Sequence, residues 1–142
     1  MAEAAAGRST DQRSDRLLLM LYGLFAVAAS GRSCYQMIAR PADAMLAYWL
    51  SAVAASGYVV GLTLLLAVRR AGPHSGLLAV ARAWCVLEFG AVLVVGSWTV
   101  LQPSRFPAPT VWSYYGVGYL LLPAVLPLGA LAWLRSVSPG AS

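Results

Sequence analysis

Two charges stand where charges are expensive. Glu88 is the only carboxylate after Asp43, and it interrupts the apolar run 77–101. Arg32 interrupts another apolar run, within Ser30-Gly31-Arg32-Ser33. A carboxylate among apolar residues can serve as a proton or solute site, or it can pair with an arginine and fix the register of two helices. Counted along helices, Glu88 lies about 16 Å from the start of its segment and Arg32 about 22 Å from the start of its own. Depths differing by about 6 Å predict a buried ion pair between the first and third segments. Tyr119, about 12 Å below the outer start of the fourth segment, is a candidate to add its hydroxyl to that network, while the plainer expectation is an interfacial tyrosine with its hydroxyl satisfied. The expected role of the pair is structural, since desolvation offsets most of the attraction between buried charges. The alternative is a proton or solute site with Glu88 as its working group.

Other chemistry finds no support in the sequence. His74 stands alone beside Pro73. Cys34 and Cys85 belong to no CxxC or Cys/His cluster of the kind that holds zinc. Their depths, about 25 Å and 12 Å from the same side, exceed disulfide reach, so both are expected to act as small apolar residues. No Ser/His/Asp set, nucleotide loop or paired carboxylate is present, so the expectation is no catalytic residue, no metal, no cofactor and no enzymatic activity. The ten basic residues are all arginine and give a net charge of +5. They are scattered at segment ends with no interleaved aromatic patch, which argues against nucleic acid as a partner and for charges that orient a membrane protein.

The elements that must carry Glu88 and Arg32 follow from hydropathy. The 142-residue chain is 60% hydrophobic and 11% charged, more apolar surface than a small soluble domain can hide. Apolar segments fall at about 17–39, 44–68, 77–101 and 111–134. Each is long enough to cross a hydrocarbon core of about 30 Å as a helix. The alternation of a membrane barrel is missing. Arg40-Pro41, Gly72-Pro73, Pro103, Pro107 and Pro109 break the connections, and short connections force antiparallel neighbours. The expected fold is an all-α transmembrane up-down-up-down four-helix bundle over 17–135, flanked by a disordered cytoplasmic tail, 1–16, and a C-terminal tail, 136–142.

Arg8, Arg13, Arg16, Arg69, Arg70 and Arg135 would share one side, against Arg40 and Arg105 on the other. The arginine-rich side faces the cytoplasm, so both termini are expected there, in the cytoplasmic membrane. Arg82 can extend its head group to the same side. Trp49, Trp98, Trp112 and Trp133 fall near segment ends, where interfacial rings are favoured. Ala26-Val27-Ala28 resembles a signal-peptide cleavage site, but the apolar stretch continues to Ala39, which favours a retained helix.

On the second segment Ala54, Gly57 and Gly61 share one face, and Gly57 and Gly61 form a GxxxG pair. Ala47, Ser51 and Ala55 form a second small-residue ribbon. Both are expected to pack within the chain, with a homodimer or a membrane-protein partner as the alternative, and the bilayer itself as surroundings. In the fourth segment Pro123 and Pro127 are expected to bend one continuous helix.

The stretches LYGLFAVAASGRSCYQ and LAYWLSAVAASGYVV, followed by the chain from Leu87 to Arg135, resemble small four-helix integral membrane proteins of actinobacteria. The most distinctive pieces are Arg32, Leu87-Glu88 and the WSxYGxGY pattern of Trp112, Ser113, Tyr115, Gly116, Gly118 and Tyr119. The resemblance covers roughly residues 16–135 and implies membrane location and four helices, with no activity attached. Small multidrug-resistance transporters place their glutamate in the first helix, where this chain has Arg32. Fluoride channels carry a GTxxxN-like segment that is missing here. Taken together, the leading expectation is a structural or accessory membrane protein, and the alternative is a small transporter or channel using Glu88.

Overall fold

In the computed structural model, residues 2–39, 45–72 and 76–138 are described, with side chains from residue 13 onward. The loops carrying Arg40-Pro41 and Pro73-His74 lie outside the described residues, as do the Arg8 side chain and residues 139–142.

Among the described residues the chain is all-helical. α1 covers Ala2–Ala39, α2 Met45–Ala71 and α3 Leu77–Leu101; a short 3-10 turn, Pro103–Arg105, and a 3-10 segment, Ser113–Tyr119, precede α4, Leu122–Ser136. The apolar parts of α1, α2 and α3 are long and apolar enough to cross a membrane. A fourth span exists if Ser113–Tyr119 and α4 are one broken crossing. Serine and threonine are kept inside these helices by bonding back one turn: Ser33 Oγ donates to Ala29 O, Ser51 Oγ to Ala47 O and Thr99 Oγ1 to Val95 O. No hydroxyl at these positions then asks for water.

Two expectations need correction. The stretch 1–16, expected as a disordered tail, is helical from Ala2. Ala2 and Ala4–Ala6 are strong helix formers, and the apolar part of α1 has already borne the cost of nucleation, so each added residue gains a hydrogen bond. The segment 111–134 is not one helix. Ser113–Tyr119 meets α4 at 93°, and the turn lies upstream of both prolines. Tyr114, Tyr115, Leu120 and Leu121 all adopt left-handed backbone, with φ of 51°, 60°, 55° and 59°. Such conformations cost a non-glycine residue roughly 1–2 kcal/mol each. Pro123 stands in the first turn of α4, where its missing N–H leaves nothing unbonded, and only Pro127 lies in the helix interior.

Close packing on α3 holds this turn. A Cβ on Gly96 would stand 2.8 Å from the Tyr115 backbone nitrogen, so α3 approaches the strained segment backbone to backbone. Ser97 and Tyr115 share a hydroxyl hydrogen bond of 3.1 Å beside that contact. The described helices close in a ring: α1 lies along α2, α2 packs on α3, α3 on α4, and α4 returns to α1. Tyr22, Tyr58, Leu65, Val92, Leu126 and Leu134 fill the core. Val27, Ile38, Val94 and Leu101 point outward, forming an apolar exterior suited to lipid.

Candidate functional site

α3 carries Glu88 into the centre of the packed helices, where only 6% of its surface is exposed. Each carboxyl oxygen is met by a neutral donor. The Tyr22 hydroxyl on α1 donates to Oε2 at 2.9 Å. Trp84 Nε1, one turn earlier on α3, divides its proton between Oε1 of Glu88 and the carbonyl of Gly57, each at 3.2 Å. The Tyr22 ring meets Tyr58 edge to face at 6.2 Å, and Phe25 meets Tyr58 the same way at 5.7 Å. These contacts fix the orientation of the donating hydroxyl.

The glycines of α2 make the room. A Cβ at Gly61 would lie 2.9 Å from the Tyr22 ring and 3.0 Å from Glu88 Oε1. The same atom at Gly57 would make an ordinary contact, 3.6 Å from Oε1. Gly57 and Gly61 therefore hold a carboxyl group rather than a second backbone. Ala54 and the ribbon of Ala47, Ser51 and Ala55 are buried within the chain.

The expected Arg32–Glu88 ion pair does not form. Arg32 Nη1 donates to the Tyr119 hydroxyl, Nη2 donates to the Pro109 carbonyl at 2.9 Å, and the guanidinium lies over the Tyr119 ring at 5.7 Å. The reason is register. Tyr22, the residue of α1 level with Glu88, precedes Arg32 by ten positions, which is about 15 Å along the helix and about 80° around it. Because α1 begins at Ala2, the apolar boundary at Leu17 does not mark the level at which α3 begins. Arg32 and Tyr119 are thus together, and Glu88 is in a separate centre. Trp84 was legible as the i−4 neighbour of Glu88 on one helix face. Tyr22 had no such signal, because its contact depends on the register between α1 and α3.

On the outward side of Glu88 a groove of about 470 Å³ opens between α2 and α3. Trp49, Val53, Gly57, Trp84, Leu87 and Trp112 contribute to its walls, and Glu88 is the only charged residue among those lining it. Among the described residues no group of three His, Cys, Asp or Glu side chains gathers to hold a metal. Cys85 is in the core and Cys34 is on the exposed surface of α1.

The chain matches no family profile, no curated protein and no solved structure.

Proposed function

We propose that the chain is a small transporter of the cytoplasmic membrane, with Glu88 as the carboxyl that exchanges a proton for a solute. The observation that carries this reading is a buried carboxyl, on a helix long and apolar enough to cross a membrane, with neutral hydrogen-bond partners and an open groove at its side. A carboxylate paired with arginine would already be neutralised. Here the charge of Glu88 is met by no cation among the described residues, so a proton or a positively charged solute supplies what the protein does not. The accessory reading rested on a closely packing second helix, short connections and the lack of catalytic groups; the Arg32–Glu88 pair it included is replaced by the contacts of Arg32 with Tyr119 and Pro109.

In this reading the broken pair Ser113–Tyr119 and α4 forms the fourth span of an up-down-up-down arrangement, and the arginine-rich side, with both termini, faces the cytoplasm. Arg32 ties the broken span to α1 near the opposite face. The protein acts without a cofactor and without covalent chemistry.

The test is solute-linked proton flux in liposomes containing the purified protein. Glu88→Gln can turn its amide oxygen to the Trp84 N–H and its NH2 to the Tyr22 hydroxyl, which then accepts instead of donating, and it removes the exchangeable charge. Wild type is expected to dissipate an imposed pH gradient when an organic cation is supplied, and Glu88→Gln to reduce that flux to the level of empty liposomes while retaining its helical circular dichroism. Wild-type liposomes no more permeable than empty ones, across a panel of solutes, would return the accessory role to first place.

A further inference from the structure

The groove beside Glu88 also states what kind of solute it fits. Trp49 comes from α2, Trp84 from α3 and Trp112 from the segment leading into the broken span, so three indoles from three parts of the chain line one groove. Trp49, Val53 and Leu87 are more than half exposed, so the groove is open on the apolar exterior of α2 and α3. Its volume, about 470 Å³, lies within the roughly 300–1,000 Å³ of pockets that enclose drug-sized molecules.

Chemistry then narrows the occupant. A hydrated metal ion needs about six oxygen ligands to replace its water; here the side-chain oxygens are those of Glu88 and of Ser56, whose hydroxyl is committed to Ala52 O. An anion would face the carboxyl with no basic side chain on the lining. A neutral apolar molecule could fill the groove beside a protonated Glu88 but would make no use of the carboxyl charge. A cation with an aromatic or alkyl body satisfies every wall: indole faces attract positive charge, the aliphatic walls take the apolar body, and Glu88 supplies the opposite charge. We infer that the α2–α3 groove is a binding site for a lipophilic organic cation that enters sideways from the bilayer and displaces the proton of Glu88. This rests on Glu88 being the exchange site, and it deepens that reading by naming the solute class and its route.

The probe is tetraphenylphosphonium, measured by equilibrium dialysis against the full chain in mild detergent, with triphenylphosphine oxide as its neutral counterpart. Wild type is expected to bind the cation saturably at one site per chain, more weakly as pH falls because protons compete for Glu88. Glu88→Gln is expected to weaken binding by at least about tenfold, because the only opposite charge is gone. Trp49→Ala changes an outward-facing residue and leaves the core intact, and is expected to weaken binding by about threefold to tenfold. Equal binding of the neutral counterpart, or binding unchanged by Glu88→Gln and Trp49→Ala, would make the groove a general apolar seat such as a lipid chain occupies, and would overturn the proposal. Glu88-dependent proton flux without tetraphenylphosphonium binding would overturn the cation site and leave the transport reading standing. Glu88-dependent binding without flux would support the site and overturn transport.

Discussion

Gly96→Ala is expected to destabilise the protein by about 3 kcal/mol, at the upper end of what a single overpacked methyl costs. The added Cβ would stand 2.5 Å from Cδ1 of Tyr115 and 2.8 Å from its backbone nitrogen. A flexible side-chain end could yield, but the nitrogen belongs to a residue already in left-handed backbone, between Tyr114 and Gly116 of the same conformation. Relief therefore requires moving the whole segment Ser113–Tyr119 off α3. Such a shift also pulls the Tyr119 hydroxyl away from Arg32. Gly90→Ala is the control: it lies on the same helix with nothing within 4 Å of its added Cβ, and alanine favours the helix by a few tenths to about 1 kcal/mol. Unfolding of both variants by heat or SDS titration in detergent decides the matter. Equal stability of Gly96→Ala and wild type would mean that the strained segment does not rest on α3.

The two glycines of α2 are expected to respond unequally, which separates a carboxyl cradle from a dimer seam. Gly61→Ala should cost about 1–3 kcal/mol, because its methyl meets the Tyr22 ring and both oxygens of Glu88 within 3.4 Å. Gly57→Ala should be near neutral, its methyl making one ordinary contact at 3.6 Å. A GxxxG seam between two copies would instead make both substitutions disruptive and would show as a loss of dimer. Stability and mass by light scattering, read on the same two variants, distinguish these outcomes. Loss of a dimer in both variants would contradict the assignment of Gly57 and Gly61 to the carboxyl.

The helical character and the candidate spans were legible because the bilayer leaves few solutions for long apolar runs: α2 and α3 coincide with the expected segments to within a few residues. Glu88 and Arg32 were legible as costly residues for the same reason. Their partners were less so. Depth counted from apolar boundaries placed Arg32 and Glu88 about 6 Å apart, whereas the register between α1 and α3 separates them by more than twice that distance along α1. Hydropathy marks where a helix enters apolar surroundings, not how two helices slide or rotate against each other. The broken fourth segment was hidden for a different reason. Leucine at 120 and 121 gives no sign of left-handed backbone, and the conformation is imposed by the packing of Tyr115 on Gly96 and of the Pro123 ring under Gly116. Gly57 and Gly61 were legible as a close approach, but their pattern alone does not say whether a backbone or a carboxyl approaches.

Reaction with dicyclohexylcarbodiimide decides whether Glu88 is a carboxyl reachable from the bilayer. This hydrophobic reagent partitions into the membrane and converts a protonated carboxylic acid into a stable acylurea, which peptide mass mapping can place. Membranes containing wild-type protein are expected to yield one adduct, on Glu88, suppressed by tetraphenylphosphonium and absent from Glu88→Gln. Glu88 left unmodified at every pH at which the protein stays folded would contradict access from the bilayer and point to a carboxyl locked away for structure alone.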